Sequence, residues 1–254
     1  MRSLVTGATS GIGAAFARAL AAQGSDLVVV SRDAARLAAT AESLRSVYGV
    51  EVEVLRADLS VEADLLAVAA RLESSESPVD VLVNNAGFGI RIKLSDPDIA
   101  VHRRAMDVMC YAVLVLGGAA ARSMRERGSG TIVTVSSLAG WLTRDNYSAI
   151  KAWVRNYSEA LANELHHSGV IVTAACPGWV RTEFHERAGI RTSSIPDWFW
   201  LDADTVAQRV LRDASRGKVL SIPAARWRIA QAALKLAPAA SVRAVSRALA
   251  RGRE

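Results

Sequence analysis

The sequence predicts an α/β protein, a doubly wound parallel sheet of about seven strands with extra helices at the C-terminus. Two observations carry this. Short β-branched runs alternate with longer Ala-rich segments of helical period, and strands such as Leu27-Val28-Val29-Val30 are continuously apolar, as in sheets covered on both faces. In order, the strand segments are Leu4–Val5, Asp26–Ser31, Val50–Arg56, Val79–Val83, Thr131–Val135, Val170–Cys176 and Val219–Ile222. Helical segments follow nearly every strand: Ile12–Gln23, Ala34–Tyr48 with Asp33 as its N-cap, Val61–Ser74, Ile99–Arg127, Asn146–His167 and Asp204–Arg216. Pro177 ends its strand, and beyond Ile222-Pro223 two further helices, about Ala224–Ala237 and Ser241–Arg251, are separated by Pro238. No repeat, low-complexity linker or Pro-rich hinge divides the chain, so residues 1–254 read as one domain.

Composition narrows the functional classes. Hydrophobic residues make up 51% of the 254, yet no run approaches the ~18 consecutive apolar residues of a membrane span. The first apolar stretch passes at once into Thr6-Gly7, leaving no room for a signal peptide, so a cytoplasmic location is expected. Cys110 and Cys176 both lie in apolar runs and read as reduced, packed thiols; the 4 His lack the spacing of a metal site. The net charge of +6 is uneven, because from Arg209 onward eleven Arg or Lys face two acidic residues. The tail therefore carries +9 and residues 1–208 carry −3, which argues against a nucleic-acid role for the whole domain.

Tyr147 and Lys151 stand four residues apart, which puts a phenol and an ammonium on one helical face. A neighbouring cation favours phenolate, and an unperturbed tyrosine of pKa ~10 is a poor proton carrier at neutral pH, so the pair reads as an acid/base site. Thr6-Gly7-Ala8-Thr9-Ser10-Gly11-Ile12-Gly13 lies between the first strand and first helix. Glycines there permit a tight turn and bring a pyrophosphate to backbone amides at a positive helix end, the arrangement of a dinucleotide cradle. At the end of the second strand Ser31 and Arg32 stand where an acidic residue would select an unphosphorylated ribose. A guanidinium pairs bidentately with a 2′-phosphate, so NADP(H) is the expected cofactor.

With Asn84-Asn85-Ala86-Gly87 after the fourth strand, Ser136-Ser137 after the fifth and Pro177-Gly178-Trp179-Val180-Arg181-Thr182 after the sixth, the chain resembles the short-chain dehydrogenase/reductase family of the classical type. The resemblance runs from Thr6 to about Thr182 and implies a Rossmann fold. It implies Tyr147 as proton donor or acceptor at the substrate oxygen, Lys151 as holder of the nicotinamide ribose and Ser137 as a hydrogen-bond partner of that oxygen. It further implies that Asp58 and Leu59 flank the adenine and that Asn85, Ala86 and Gly87 line the adenosine ribose side. Pro177, Gly178, Val180 and Thr182 would contact the nicotinamide carboxamide, and Gly7, Thr9, Ser10, Gly11, Ile12 and Gly13 would cradle the phosphates. Ser136 is the alternative to Ser137, since adjacent strand residues point oppositely.

Two departures from the family pattern stand out. Met109, in Met106-Asp107-Val108-Met109, occupies the position of the usual Asn and offers no amide to a proton relay; the stretch from Ser137 to Tyr147 is shorter than in many members. By resemblance residues 181–203 form a substrate lid. Phe184, His185, Ile195, Trp198, Phe199 and Trp200 there either meet an apolar ligand or pack the lid onto the body. Residues 224–254 form a basic helical tail. Arg243, Arg247 and Arg251 make a cationic stripe, Val242, Val245 and Leu249 an apolar one, and Trp227, Ala230 and Leu234 a second short apolar face. That tail suits docking on the body or a sister subunit in a homo-oligomer, or weak contact with an anionic membrane surface. The expected activity is interconversion of a carbonyl and an alcohol on a small apolar substrate: a ketone, an aldehyde, a 3-oxoacyl group or a steroid-like ring system. The alternative is a cofactor-binding sensor or scaffold with little turnover.

Overall fold

Seven parallel strands form one sheet in the order β3-β2-β1-β4-β5-β6-β7. The structure, a computed structural model, describes residues 1–90, 92–184 and 196–251, with Ala250 and Arg251 described by backbone alone. The strands are β1 Arg2–Thr6, β2 Asp26–Ser31, β3 Val52–Arg56, β4 Val81–Asn84, β5 Gly130–Val135, β6 Val170–Ala175 and β7 Leu220–Ser221. The helices are α1 Gly11–Ala21, α2 Ala34–Tyr48, α3 Glu62–Glu73, α4 Ile99–Met106, α5 Ala112–Arg127, α6 Asn146–Glu164, α7 Ala203–Ala214, α8 Ala225–Leu236 and α9 Ala239–Arg251.

The sheet is covered on both faces because successive strand residues point to opposite sides. Val5, Val29, Val83 and Val133 pack with Phe16 and Leu20 of α1, Leu37 of α2 and Val206 and Val210 of α7. Their neighbours Leu4, Val28, Leu82 and Ile132 pack with Leu65 and Leu72 of α3, Leu116 and Met124 of α5 and Leu161 of α6. The strand order reverses between β1 and β4, so the loops after those strands splay apart and open a crevice at their carboxyl ends, the usual ligand position in such sheets.

Local chemistry sets the helix that borders the crevice at β2. Asp33 accepts from the Arg36 amide at 3.0 Å, and α2 stops at Gly49 with φ +68°. Asp33 is thus the expected N-cap. The expected helix over 99–127 runs without a break, but it carries a π turn over Asp107–Tyr111 between α4 and α5 that the sequence reading lacks. Composition carries no mark of such a slip in hydrogen bonding, which recurs at functional sites. By length and composition Ile99–Arg127 is apolar enough to cross a bilayer; its most apolar window is 61% buried inside the fold, as a core helix is.

Candidate active site

A cavity of about 990 Å³ opens at the carboxyl ends of the strands. Gly7, Thr9, Ser10, Gly11 and Ile12 line it at the start of α1, and Ser31, Arg32, Asp58 and Leu59 line it beyond β2 and β3. Asn85, Ala86 and Gly87 follow from β4, Ser137 from β5, Tyr147 and Lys151 from α6, and Pro177, Gly178, Val180 and Thr182 from the loop after β6. Gly13 alone among the expected residues stands behind the wall. A Cβ there would lie 2.2 Å from the Gly7 carbonyl oxygen and 2.3 Å from Asn85 Nδ2, so only glycine lets helix and loop meet.

The loop after β4 locks the glycine turn in place. Asn85 Nδ2 donates to the carbonyls of Thr6 and Gly7 at 2.9 and 3.3 Å, and Thr6 Oγ1 accepts from the amides of Asn85 and Ala86 at 2.9 and 3.0 Å. Gly7 and Gly11 hold φ of +65° and +54°, so the backbone turns without a Cβ beside the crevice. Glycine cradle, α1 N-terminus and open cavity fit the phosphates of a dinucleotide.

At the far end, Arg32 Nη1 lies 3.8 Å from Asp58 Oδ2, which also takes Arg104 Nη2 at 2.9 Å; Arg32 remains 58% exposed. Burial pushes the Asp58 carboxyl up, but hydrogen bonds from Ser60 and the charges of Arg104 and Arg32 outweigh it and hold the group below its ordinary value. Asp33, committed to α2, points its carboxylate at a backbone amide.

At the reacting end, Lys151 Nζ donates to the Val135 carbonyl at 2.8 Å and lies 5.6 Å from the centre of the Tyr147 ring. Phe184 packs on the Tyr147 ring, 5.8 Å between centres at 51°. Ser136 is buried with its hydroxyl spent on the Lys151 carbonyl at 2.7 Å, whereas Ser137 Oγ accepts from the Ala139 amide at 3.1 Å and keeps its own hydrogen to donate. The shortened stretch after Ser137 folds as a 3-10 turn over Leu138–Trp141 and still brings serine and tyrosine to one cavity. Burial drops the Lys151 pKa from 10.5 to about 8. Cys110 and Cys176, pushed by burial to about 11 and about 12, stay neutral thiols at physiological pH and lend the ammonium no balancing charge. Met109 is fully buried in the π turn, its sulfur facing the Cα of Gly87 so closely that a Cβ there would meet Sδ at 3.0 Å.

The remaining walls were not evident from sequence. Of the lid aromatics at 198–200, Phe199 packs on Trp227 (5.4 Å) and Trp200 on Trp179 (5.6 Å), while Trp198 rests on Phe199 (4.0 Å) and stays 63% exposed. His185 and Ile195 lie outside the described residues. Trp227 of α8 rests on the backbone of Gly178, where a Cβ would collide with the indole at 2.2 Å; its buried Nε1 has no hydrogen-bond partner among the described residues. Ser246 of α9 accepts from the Thr143 amide at 3.0 Å, which ties the tail to the loop before α6. Ala230, Leu234, Val245 and Leu249 consequently line the cavity, as does Arg144. The apolar stripes of the tail were legible; that they wall this chamber was not.

Fold and site together define an α/β protein built to hold a dinucleotide beside a tyrosine–lysine pair. The comparisons name the class: residues 2–191 match the short chain dehydrogenase family. A short-chain dehydrogenase from Sphingobium yanoikuyae in complex with NADPH superposes with a TM-score of 0.84 at 36% identity, covering 92% of this chain and 93% of that one. A bulky-bulky ketone specific alcohol dehydrogenase from Comamonas testosteroni gives 0.79 at 30% identity, with 94% and 95% covered. Among curated relatives, a cis-4-hydroxycyclohexanecarboxylate dehydrogenase from Sinomonas cyclohexanicum is 38% identical over 184 residues, 71% of this chain and 73% of the relative. The chain belongs to the short-chain dehydrogenase family of oxidoreductases, which use NAD(P).

Proposed function

We propose that this protein is an NADP(H)-dependent oxidoreductase interconverting a carbonyl and an alcohol on a small, largely apolar substrate. The observation that carries this reading is one cavity holding the Ser137 hydroxyl, Tyr147 and Lys151 next to a glycine cradle. When bound, the nicotinamide cofactor supplies or accepts hydride. In the reductive direction Ser137 donates a hydrogen bond to the substrate oxygen and Tyr147 delivers the proton that neutralises the developing alkoxide. Lys151, a buried cation on the next turn, favours the phenolate left behind and holds the nicotinamide ribose. The walls contributed by Trp227, Leu234 and Leu249 exclude water from the reacting atoms and favour a bulky apolar body. In this reading 181–203 serve as the substrate lid, of which 185–195 lie outside the described residues, and α8 and α9 of the basic tail wall the chamber within one domain.

A relative that binds NADPH and another named for bulky ketones support the cofactor and the substrate side of this reading. NADPH oxidation with a panel of bulky ketones tests it; tight NADPH binding with no turnover on any of them would instead make the protein a cofactor-binding sensor.

Arg32 carries the preference for the phosphorylated cofactor. Arg32→Gln is expected to raise the Kd for NADPH by about 10- to 100-fold, the worth of a lost charged fork, with NADH affinity nearly unchanged. An equal loss for both cofactors, read by fluorescence titration, would remove Arg32 from this role.

A homo-oligomer belongs to the same reading. Tyr111, Leu114 and Trp153 leave an exposed apolar face on α5, α6 and the π turn, with Trp153 stacked on Tyr157 at 5.2 Å. A second copy covering that face gives a dimer by sedimentation, and Trp153→Glu is expected to shift it to monomer.

A further inference from the structure

Arg144 is a charged side chain of the chamber that neither the proton-transfer machinery nor the cofactor end uses. Its side chain is 7% exposed and it lines the cavity, in the loop that leads into α6 three residues before Tyr147. Only one edge of the guanidinium is engaged: Nε donates to Asp145 Oδ2 at 2.7 Å. The terminal nitrogens have no hydrogen-bond partner among the described residues.

Asp145 has nothing further to give. Its other oxygen caps α6 by accepting from the Ser148 amide at 2.8 Å. Burial pushes its carboxyl up, but the charge and hydrogen bond of Arg144 and the bonds from Ser148 outweigh this and keep it below its ordinary value, so it stays an anion. The pair is fixed in place from behind, since Thr143 is tied to Ser246 of α9 and Asn146 donates to His102 Nδ1 at 3.0 Å. A buried guanidinium held rigid by one edge presents a planar donor fork with the other, and such a fork matches the two oxygens of a carboxylate. Leu142, Val245 and Leu249 line the same chamber. The terminal nitrogens are not sealed from solvent, so they face the open chamber with donors to spare, where a ligand's carboxylate can take the place of solvent.

We propose that Arg144 is a specificity-determining residue that binds a carboxylate on the substrate. The substrate class is thereby an oxo acid, or the matching hydroxy acid, whose apolar body separates the reacting oxygen at Tyr147 from the acid group at Arg144. The inference rests on the oxidoreductase reading above and deepens it.

The test compares benzoylbutyrate, which carries a ketone and a carboxylate, with its methyl ester. Binding of each to the protein–NADP⁺ complex is measured by titration calorimetry, and reduction of each by NADPH is followed in parallel. The wild type is expected to bind the acid roughly 10- to 100-fold more tightly than the ester, the range set by a bidentate charged pair. Arg144→Met should bring that ratio to about one. Arg144→Lys keeps a cation beside Asp145 but loses the fork, and should lower the ratio by a smaller factor, which separates recognition from loss of folding. Equal binding of acid and ester by the wild type, or a ratio untouched in both variants, overturns the proposal. If the wild type reduces the ester without preferring the acid, the carboxylate site fails while the redox reading stands. If it prefers the acid in calorimetry but reduces neither compound nor any other ketone, the redox reading fails and the carboxylate site stands.

Discussion

Tyr147→Phe is expected to lower kcat for carbonyl reduction by about 10²- to 10⁴-fold while the Kd for NADPH stays within a few-fold of wild type. The substitution removes one oxygen and keeps the ring, so the contact with Phe184 at 5.8 Å survives and the wall around the cofactor groove is unchanged. What disappears, on the proposed reading, is the proton source at the substrate oxygen, which a less well placed water must then replace. The pH profile of the wild type follows from the neighbour. Lys151 loses its charge as pH rises through about 8, so kcat/KM for reduction should fall above that value as the cation that supports the phenolate is neutralised. Stopped-flow single turnovers, which separate hydride transfer from product release, read both effects. A variant within a few-fold of wild type would strip Tyr147 of its assigned role, and the serine and lysine arguments would go with it.

Much of the fold could be read from the sequence because its signals are local. Asp26–Ser31 and Ala34–Tyr48 have the observed limits, since continuous apolar alternation across two faces and an aspartate cap act within a few residues. The glycine turn, Asn85 and the Tyr147–Lys151 pair were legible for the same reason: each acts through neighbours on its own loop or helix. The π turn at Asp107–Tyr111 was not, because one slipped hydrogen bond changes no periodicity that composition could reveal. Arg144 was invisible for a different cause. Sequence places it in a polar loop, Thr143-Arg144-Asp145-Asn146, where arginines are ordinarily solvated; its burial depends on α8 and α9 folding back over that loop from eighty or more positions away, through Ser246. Trp227 on Gly178 is likewise a contact between distant segments, and an isolated tryptophan does not announce which glycine it covers. The same folding back gives Phe199 its partner Trp227, whereas Trp200 meets Trp179 of the loop after β6 and Trp198 rests on Phe199.

Lys151→Met separates stability from function at one residue. Rate is expected to fall by at least ~10²-fold, because the phenolate loses its neighbouring cation and the ribose loses a donor. Stability moves the other way with a defined pH signature. In the unfolded chain the lysine titrates at its ordinary 10.5; in the fold burial brings it to about 8. Between those values the unfolded state binds more protons, so the wild type gains stability as pH rises through the window and carries the full burial penalty below about 8. Methionine carries no such charge. The stability difference, variant minus wild type, should therefore be most favourable to methionine near neutral pH and shrink by roughly 3 kcal/mol across the window, the energy equivalent of the shift. The lost hydrogen bond to the Val135 carbonyl adds a cost that does not titrate, so it moves the difference as a whole and leaves its slope intact. Urea melts of the cofactor-free proteins at about pH 7, 8 and 9.5 measure that slope. A difference that does not change with pH would mean that Lys151 is solvated in the folded protein, and a solvated ammonium has no special hold on the phenol beside it.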